Sequence, residues 1–211
     1  MIKPVFLSYF LDGHTPAYGG AKNVVSLEQI KSINNGDTSN NLNISFPGHI
    51  GTHIDFPSHF SESGKSCIDY PASYWIFKKV GFLQCAIQEV NEQINQMPQD
   101  IELLILKTGF GKKRTQTEYW ASQPVIPASF AKLFRDRFPL LRVFGFDMIS
   151  LTSKLDREEG KRAHVDFLIN EEILVLEDMN LEPITCSPET FIICPLLIAV
   201  ADGVPCTVIG L

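Results

Sequence analysis

A mixed α/β fold in one domain, residues 1–211, is what this sequence predicts, and three observations carry that reading. Strand-like apolar runs recur from one end of the chain to the other, whereas only two segments hold a clear helical period. No linker, internal repeat or low-complexity tract divides the chain. The length of 211 residues suits a single domain of moderate size with a sizeable core.

Residues 4–11 read as a strand, and a loop rich in Gly and Pro follows to Gly20. Residues 23–33 fit helix and strand equally. Asn34-Asn35-Gly36-Asp37 is a turn signal, because Asn and Gly accept the positive φ of tight turns. Residues 42–46 then alternate in strand fashion, which favours a hairpin. Residues 49–56 form the next strand, and Pro57, which cannot donate to a ladder, ends it. Residues 82–90 and 103–107 are strands, the second almost wholly apolar and so expected at the centre of the sheet. Pro127 is preset for a first helical turn, and Phe130, Leu133, Phe134 and Phe138 give that helix its apolar face. Residues 142–146 make a strand that ends at Asp147, and residues 156–169 a helix. Residues 173–176, 191–194 and 204–209 complete the strands.

An apolar fraction of 45% and a charged fraction of 20% are those of an ordinary globular protein. The net charge of −6 disfavours nucleic acid or an anionic membrane as partner. Lys112, Lys113 and Arg114 form the only dense basic run; they follow Gly109 and Gly111 and read as a solvated loop. The apolar run 5–11 is short, and Asp12-Gly13-His14 interrupts it, so no secretory leader is legible. Residues 191–211 are apolar, but Pro195, Asp202, Gly203 and Pro205 break them into pieces suited to buried strands rather than a membrane span. Five cysteines, an odd count without a Cys-x-x-Cys pair, fit reduced thiols in a cytoplasm.

The chemistry concentrates in His49-Ile-Gly-Thr-His53-Ile-Asp55-Phe-Pro-Ser-His59-Phe60. Three of the five histidines fall in these residues, with one aspartate. Imidazole and carboxylate are ligands of Zn²⁺ and its first-row relatives. Ile50, Thr52, Ile54 and Phe56 alternate with His49, Gly51, His53 and Asp55, so an extended strand would separate an apolar face from a ligand face. A straight strand would hold His49 and His53 about 13 Å apart, too far to converge comfortably on one ion. The backbone is therefore expected to bend at Gly51, where a kink is cheap. His164, on the second helix, reads as a core histidine or a ligand. Glu177 and Asp147 each end an apolar strand and read as ligand, base or surface charge. Periodicity alone does not assemble these three with the cluster.

The motif H-x-G-T-H-x-D-x-P-x-H-F resembles the signature of the cyclase family of metal-dependent hydrolases, which includes bacterial kynurenine formamidase and isatin hydrolase. Leu7-Ser8 with Thr15-Pro16-Ala17-Tyr18, Lys107-Thr108-Gly109, Gly145-Phe-Asp147-Met-Ile-Ser150, Ala163-His164 through Glu177-Asp-Met-Asn180-Leu181, and Ala201-Asp-Gly203-Val-Pro205 resemble further elements of that family. The resemblance implies a swivelling β/β/α domain, a homodimer, and one or two divalent ions, with Zn²⁺ expected first and Mn²⁺ as the alternative. It implies that His49, His53 and Asp55 bind metal, that Asp55 bridges two ions, and that His164 and Glu177 complete a second position. It assigns proton transfer to His59 and a substrate contact to Tyr18.

A metal at such a site brings the pKa of its bound water to about 7. His59 would take the water's proton and return it to a leaving nitrogen, as an imidazole can near neutral pH. The expected reaction is hydrolysis of a small amide: an aryl formamide such as N-formylkynurenine, or a cyclic amide. Two alternatives stay open, a metal-dependent lyase, dehydratase or cyclase on a small carbonyl substrate, and a non-catalytic metal-binding protein.

Overall fold

The computed structural model describes residues 3–211. In chain order its elements are β1 (Val5–Phe6), β2 (Ser26–Lys31), β3 (Asn41–Ser45), β4 (His53–Asp55), β5 (Ile76–Phe77), β6 (Val80–Gln84), α1 (Val90–Gln93), β7 (Leu103–Lys107), α2 (Glu118–Ala121), α3 (Ser129–Arg137), β8 (Val143–Phe146), α4 (Arg157–Val165), β9 (Leu174–Glu177), β10 (Phe191–Pro195) and β11 (Gly203–Gly210). Nine strands form one mixed sheet in the order β5-β10-β11-β4-β9-β8-β7-β6, with β1 also paired to β11. The chain is a mixed α/β domain. The half from β6 to β9 is parallel, and the half from β9 through β4, β11 and β10 to β5 is antiparallel.

The parallel half explains its own sequence. Every residue of β7, β8 and β9 is buried, as expected of strands covered on both faces, and β7 lies between β6 and β8. α3 turns Phe130, Ala131 and Phe134 inward, and the Phe134 ring meets Phe144 of β8 at 5.1 Å between centroids. Asp156 caps α4 by accepting from the Glu159 N–H at 3.0 Å, and the helix passes into a π-helical turn, Asp166–Asn170.

Three elements fall short of the expectation. Of the strand expected over residues 4–11, only Val5–Phe6 pairs, as β1. The strand expected over 82–90 stops at Gln84, because the Glu89 carboxylate accepts the Ala86 N–H at 2.9 Å and starts a helical turn. Of the strand expected over 49–56, only His53–Asp55 joins the sheet. Residues 23–33, ambiguous in sequence, supply β2, which pairs with β3 as the favoured hairpin. That hairpin is a sheet of its own, and every residue of its two strands is exposed. Among the described residues no helix is long and apolar enough to cross a membrane.

Candidate metal centre

β4 sits at the seam of the sheet, antiparallel to both β11 and β9. His53 and Asp55 share one face of it, while Ile54 between them is fully buried in the core. The register sets His53 opposite Glu177 and Asp55 opposite Gly203. His164 arrives from the last turn of α4. His53 Nε2 lies 3.4 Å from Asp55 Oδ1 and 3.4 Å from Glu177 Oε2. His164 Nε2 lies 3.5 Å from Asp55 Oδ2 and 3.5 Å from Glu177 Oε1.

The far nitrogens of both rings are tied to backbone. His53 Nδ1–H donates to the Gly51 carbonyl and His164 Nδ1–H to the Gly160 carbonyl, each at 2.8 Å. That leaves each Nε2 facing the carboxylates, the orientation that metal-binding imidazoles adopt. Glu177 is held in turn: its Oε1 accepts the Leu151 N–H at 2.5 Å and the Ser150 hydroxyl at 3.3 Å.

His49 reaches the cluster through the expected bend. Gly51 has φ +59°, and a side chain there would also meet Leu11. The His49 ring lies 5.4 Å from the His53 ring and 4.0 Å from the His59 ring, centroid to centroid. It passes so close over Gly203 that a Cβ at that position would overlap the imidazole. His49 Nδ1 is 2.8 Å from Asp55 Oδ1, and its Nε2 is 3.0 Å from Asp202 Oδ2. The same Asp202 oxygen accepts His59 Nδ1–H at 3.0 Å.

The candidate ligand atoms therefore fall into two groups that share Asp55. One is His53, Asp55 and Glu177; the other is His49, Asp55 and His59. The grouping differs from the expected one, in which His49 and His53 shared an ion and His59 stood apart. The inner group is sealed, with His53, Asp55, His164 and Glu177 all under 5% exposed, whereas the His59 and Asp202 side chains are 31% and 49% exposed. Phe60 walls the site: its ring stacks on His164 at 4.9 Å and meets the His59 ring edge-on at 4.6 Å.

Electrostatics sharpen the picture. Burial should push the Asp55 carboxyl up, yet hydrogen bonds from His164, His49 and His53 hold it well below the ordinary carboxylate range. Burial opposes charge on His53 and His164 as well, but the two carboxylates outweigh it; His53 rises well above its usual value and His164 to about 10. His59 goes the other way, lowered by burial and by the neighbouring His49. Two buried carboxylates thus face three imidazoles, and among the described residues no Lys or Arg pairs with either. This donor set fits a divalent cation: hard oxygens and oriented imidazoles, whose Nε2 protons an ion would displace.

The remaining predicted residues divide. Asp147 is buried and spoken for, since its carboxylate accepts from the Thr108 N–H and hydroxyl at 2.8 and 2.6 Å and from the Gly109 N–H at 2.8 Å. It shapes the loop after β7. Tyr18 lies in a short helical turn, Tyr18–Gly20, with 39% of its surface exposed. Asp202 and Phe60 escaped the sequence reading as site residues. Asp202 stands in a turn between two apolar runs, and its signals are a carboxylate in so apolar a stretch and its place in the Ala201–Pro205 element of the resemblance.

The family described as "Putative cyclase" matches residues 5–153. The chain belongs to the cyclase family. A kynurenine formamidase of Bacillus cereus (strain ATCC 10987 / NRS 248) is 29% identical over 161 residues, covering 74% of this chain and 73% of that protein. An uncharacterised protein of Haemophilus influenzae is 31% identical over 108 residues, 47% of this chain and 76% of that one. Among solved structures, isatin hydrolase A from Labrenzia aggregata, bound to benzyl benzoate, superposes with a TM-score of 0.78 at 19% identity, covering 98% of this chain and 92% of that one. That likeness is one of fold.

Proposed function

We propose that the protein is a metal-dependent hydrolase of small aryl amides, and the observation that carries the reading is the graded site. Its inner ligands are sealed, while His59 and Asp202 stand at a half-open rim beside them. A purely structural metal site is closed on all sides, and a catalytic one keeps a position for water or substrate. The sequence relatives support the substrate class, since kynurenine formamidase, by its name, acts on an amide carbonyl borne by an aromatic amine.

His53, Asp55, Glu177 and His164 would hold one cation, and His49 with Asp55 a second. Zn²⁺ suits this nitrogen and oxygen set, with Mn²⁺ the alternative. A divalent cation bound there supplies Lewis acidity and brings the pKa of bound water to about 7. The protein's own groups do the rest. Asp202 fixes the His59 ring by accepting its Nδ1–H, which leaves Nε2 free to take a proton and hand it to the departing amine nitrogen. Phe60 places an aromatic ring at the same rim, where an aryl substrate would meet it, with Tyr18 as a further aromatic contact.

The test is a screen of Zn²⁺- and Mn²⁺-loaded protein against N-formylkynurenine, formanilides, isatin and lactones, with products identified by mass. Release of formate or ring opening is the expected result. Dehydration or isomerisation of a carbonyl substrate without amide cleavage would move the protein to the lyase alternative. No turnover with metal firmly bound would leave a metal-binding protein.

A cytoplasmic setting belongs to the same proposal, supported by five cysteines that are all free. So does a homodimer. Leu27, Leu42 and Ile44 share one face of the β2–β3 hairpin and are 44–56% exposed. A two-stranded hairpin is marginal in water unless its apolar face finds a partner. Sedimentation should give a dimer that Leu27→Asp dissociates; a single 23.6 kDa species in the unaltered protein would refute it.

A further inference from the structure

A second buried cluster lies where β4 begins and β9 ends, and the proposed chemistry does not use it. The residue after Glu177 is Asp178, which is 1% exposed and holds φ +50°, a left-handed conformation that an aspartate adopts only at some cost. Every polar group of Asp178 is engaged. Its N–H donates to the Met148 carbonyl at 2.8 Å. Its carbonyl accepts the Thr52 hydroxyl at 2.6 Å. Its carboxylate takes the Arg114 guanidinium as a fork, Nε at 2.9 Å and Nη2 at 2.8 Å, and the Tyr119 hydroxyl at 2.5 Å. Arg114 Cζ in turn lies over the Tyr9 ring, 3.9 Å from its centroid, and the Tyr9 N–H donates to Thr52 Oγ1 at 3.0 Å.

The positions of these contacts give them meaning. Thr52 immediately precedes His53, and Asp178 immediately follows Glu177; His53 and Glu177 are cross-strand partners. The Thr52–Asp178 hydrogen bond therefore staples the two ligand strands together one residue from a ligand on each. The left-handed turn at Asp178 decides how the chain leaves β9, and so how Glu177 is presented. An aspartate holds such a turn when its surroundings over-determine it, and the rigid Arg114 fork with the Tyr119 hydroxyl does that here. A ligand misplaced by an ångström loses much of its grip on an ion, and groups behind the ligands commonly set metal affinity.

We propose that Arg114, with Tyr119, is a positioning residue for the metal centre: by clamping Asp178 it presets the backbone on which Glu177 and His53 are held, and so tightens cation binding without touching the cation. The inference rests on the metal-centre reading above, and the experiment separates the two. Zn²⁺ affinity is measured by competition with a chromogenic chelator for the unaltered protein and for Arg114→Met, Arg114→Lys and Tyr119→Phe, with far-ultraviolet circular dichroism confirming the fold. Arg114→Met is expected to weaken Zn²⁺ binding by about 10–100-fold, the range for partners lying behind metal ligands. Arg114→Lys should recover part of it, because one charged donor replaces a two-pronged fork. Tyr119→Phe removes one hydroxyl and leaves the Arg114 fork in place, so it should give a smaller loss in the same direction. If Arg114→Met does not fold, Tyr119→Phe decides the matter. Folded variants that bind Zn²⁺ as tightly as the unaltered protein, whatever their melting temperature, overturn the proposal. An unaltered protein that binds no Zn²⁺ overturns the metal-centre reading instead.

Discussion

Asp178 and Asp55 are both about 1% exposed, yet they are neutralised in opposite ways. Asp178 has a permanent cation, the Arg114 guanidinium at 2.8 Å, plus a tyrosine hydroxyl. Asp55 has only imidazoles, and the one source of positive charge beside Glu177 is likewise imidazole. An unpaired buried charge costs several kcal/mol, so each cluster must bring its own compensation. Arginine stays charged at any working pH and closes its account within the protein. Histidines are charged only when protonated, so a cluster built on them can exchange protons for a metal ion and back. The difference between structural and functional charge burial lies in the partner, and both kinds meet at the ends of β4 and β9.

The largest expected effect comes from breaking the imidazole cluster. His53→Ala removes an Nε2 that faces Asp55 and Glu177 at 3.4 Å each. Elemental analysis should find most of the metal gone, and hydrolysis should fall to background. Retained metal with unchanged activity would sink the assignment. His59→Asn is expected to behave differently, since His59 approaches from the rim beyond Pro57 and is fixed by Asp202. Turnover should drop by roughly 10²–10⁴-fold, the usual contribution of a general acid–base group, with most metal retained. Metal content and turnover on one preparation decide it; loss of both together would make His59 a ligand in the group with His49 and Asp55.

Removing the ion should reveal the contrast as stability. A ligand at 100 times its dissociation constant stabilises by about 2.7 kcal/mol, which corresponds to roughly 5–10 °C in melting temperature for a domain of this size. Chelator should lower the transition by about that much, and added Zn²⁺ should restore it. In His53→Ala the chelator should have little left to remove. An equal chelator shift in His53→Ala would place the stabilising ion elsewhere.

Legibility in the sequence followed the same divide. The imidazole cluster announced itself because its ligands lie close in sequence, with Gly51 marking the bend that convergence required. β7 and β8 were legible because strands buried on both faces are apolar at nearly every position. His164 and Glu177 came only through family resemblance, because their approach to Asp55 depends on sheet register and the end of α4. The Arg114 cluster was misread. Beside Lys112 and Lys113 a third basic residue looks like part of a solvated loop, but Arg114 turns inward while those two lysines stay exposed. Its partner lies 64 positions away, a separation no local pattern encodes. Asp147 looked like a ligand candidate for the converse reason: a carboxylate ending an apolar strand has the same sequence whether it meets a metal or the backbone of the next loop.

The smallest effect is expected at Tyr18, which lies outside both clusters and marks where the centre ends. Its ring is 39% exposed, so the fold does not depend on it, and it makes no ion pair or hydrogen bond to the ligand residues among those described. If it serves only as an aromatic wall for the substrate, Tyr18→Ala should leave metal content and melting temperature unchanged. An aromatic contact is worth about 0.5–1.5 kcal/mol, so KM for an aryl formamide should rise by roughly 2–12-fold while kcat holds. A non-aromatic formamide should show no change, because it has no ring to lose the contact. An equal rise in KM for both substrates would mean that Tyr18 shapes the loop rather than meeting the ring. A fall in metal content would tie it to the centre itself and erase the boundary between groups that hold the cation and groups that hold the substrate.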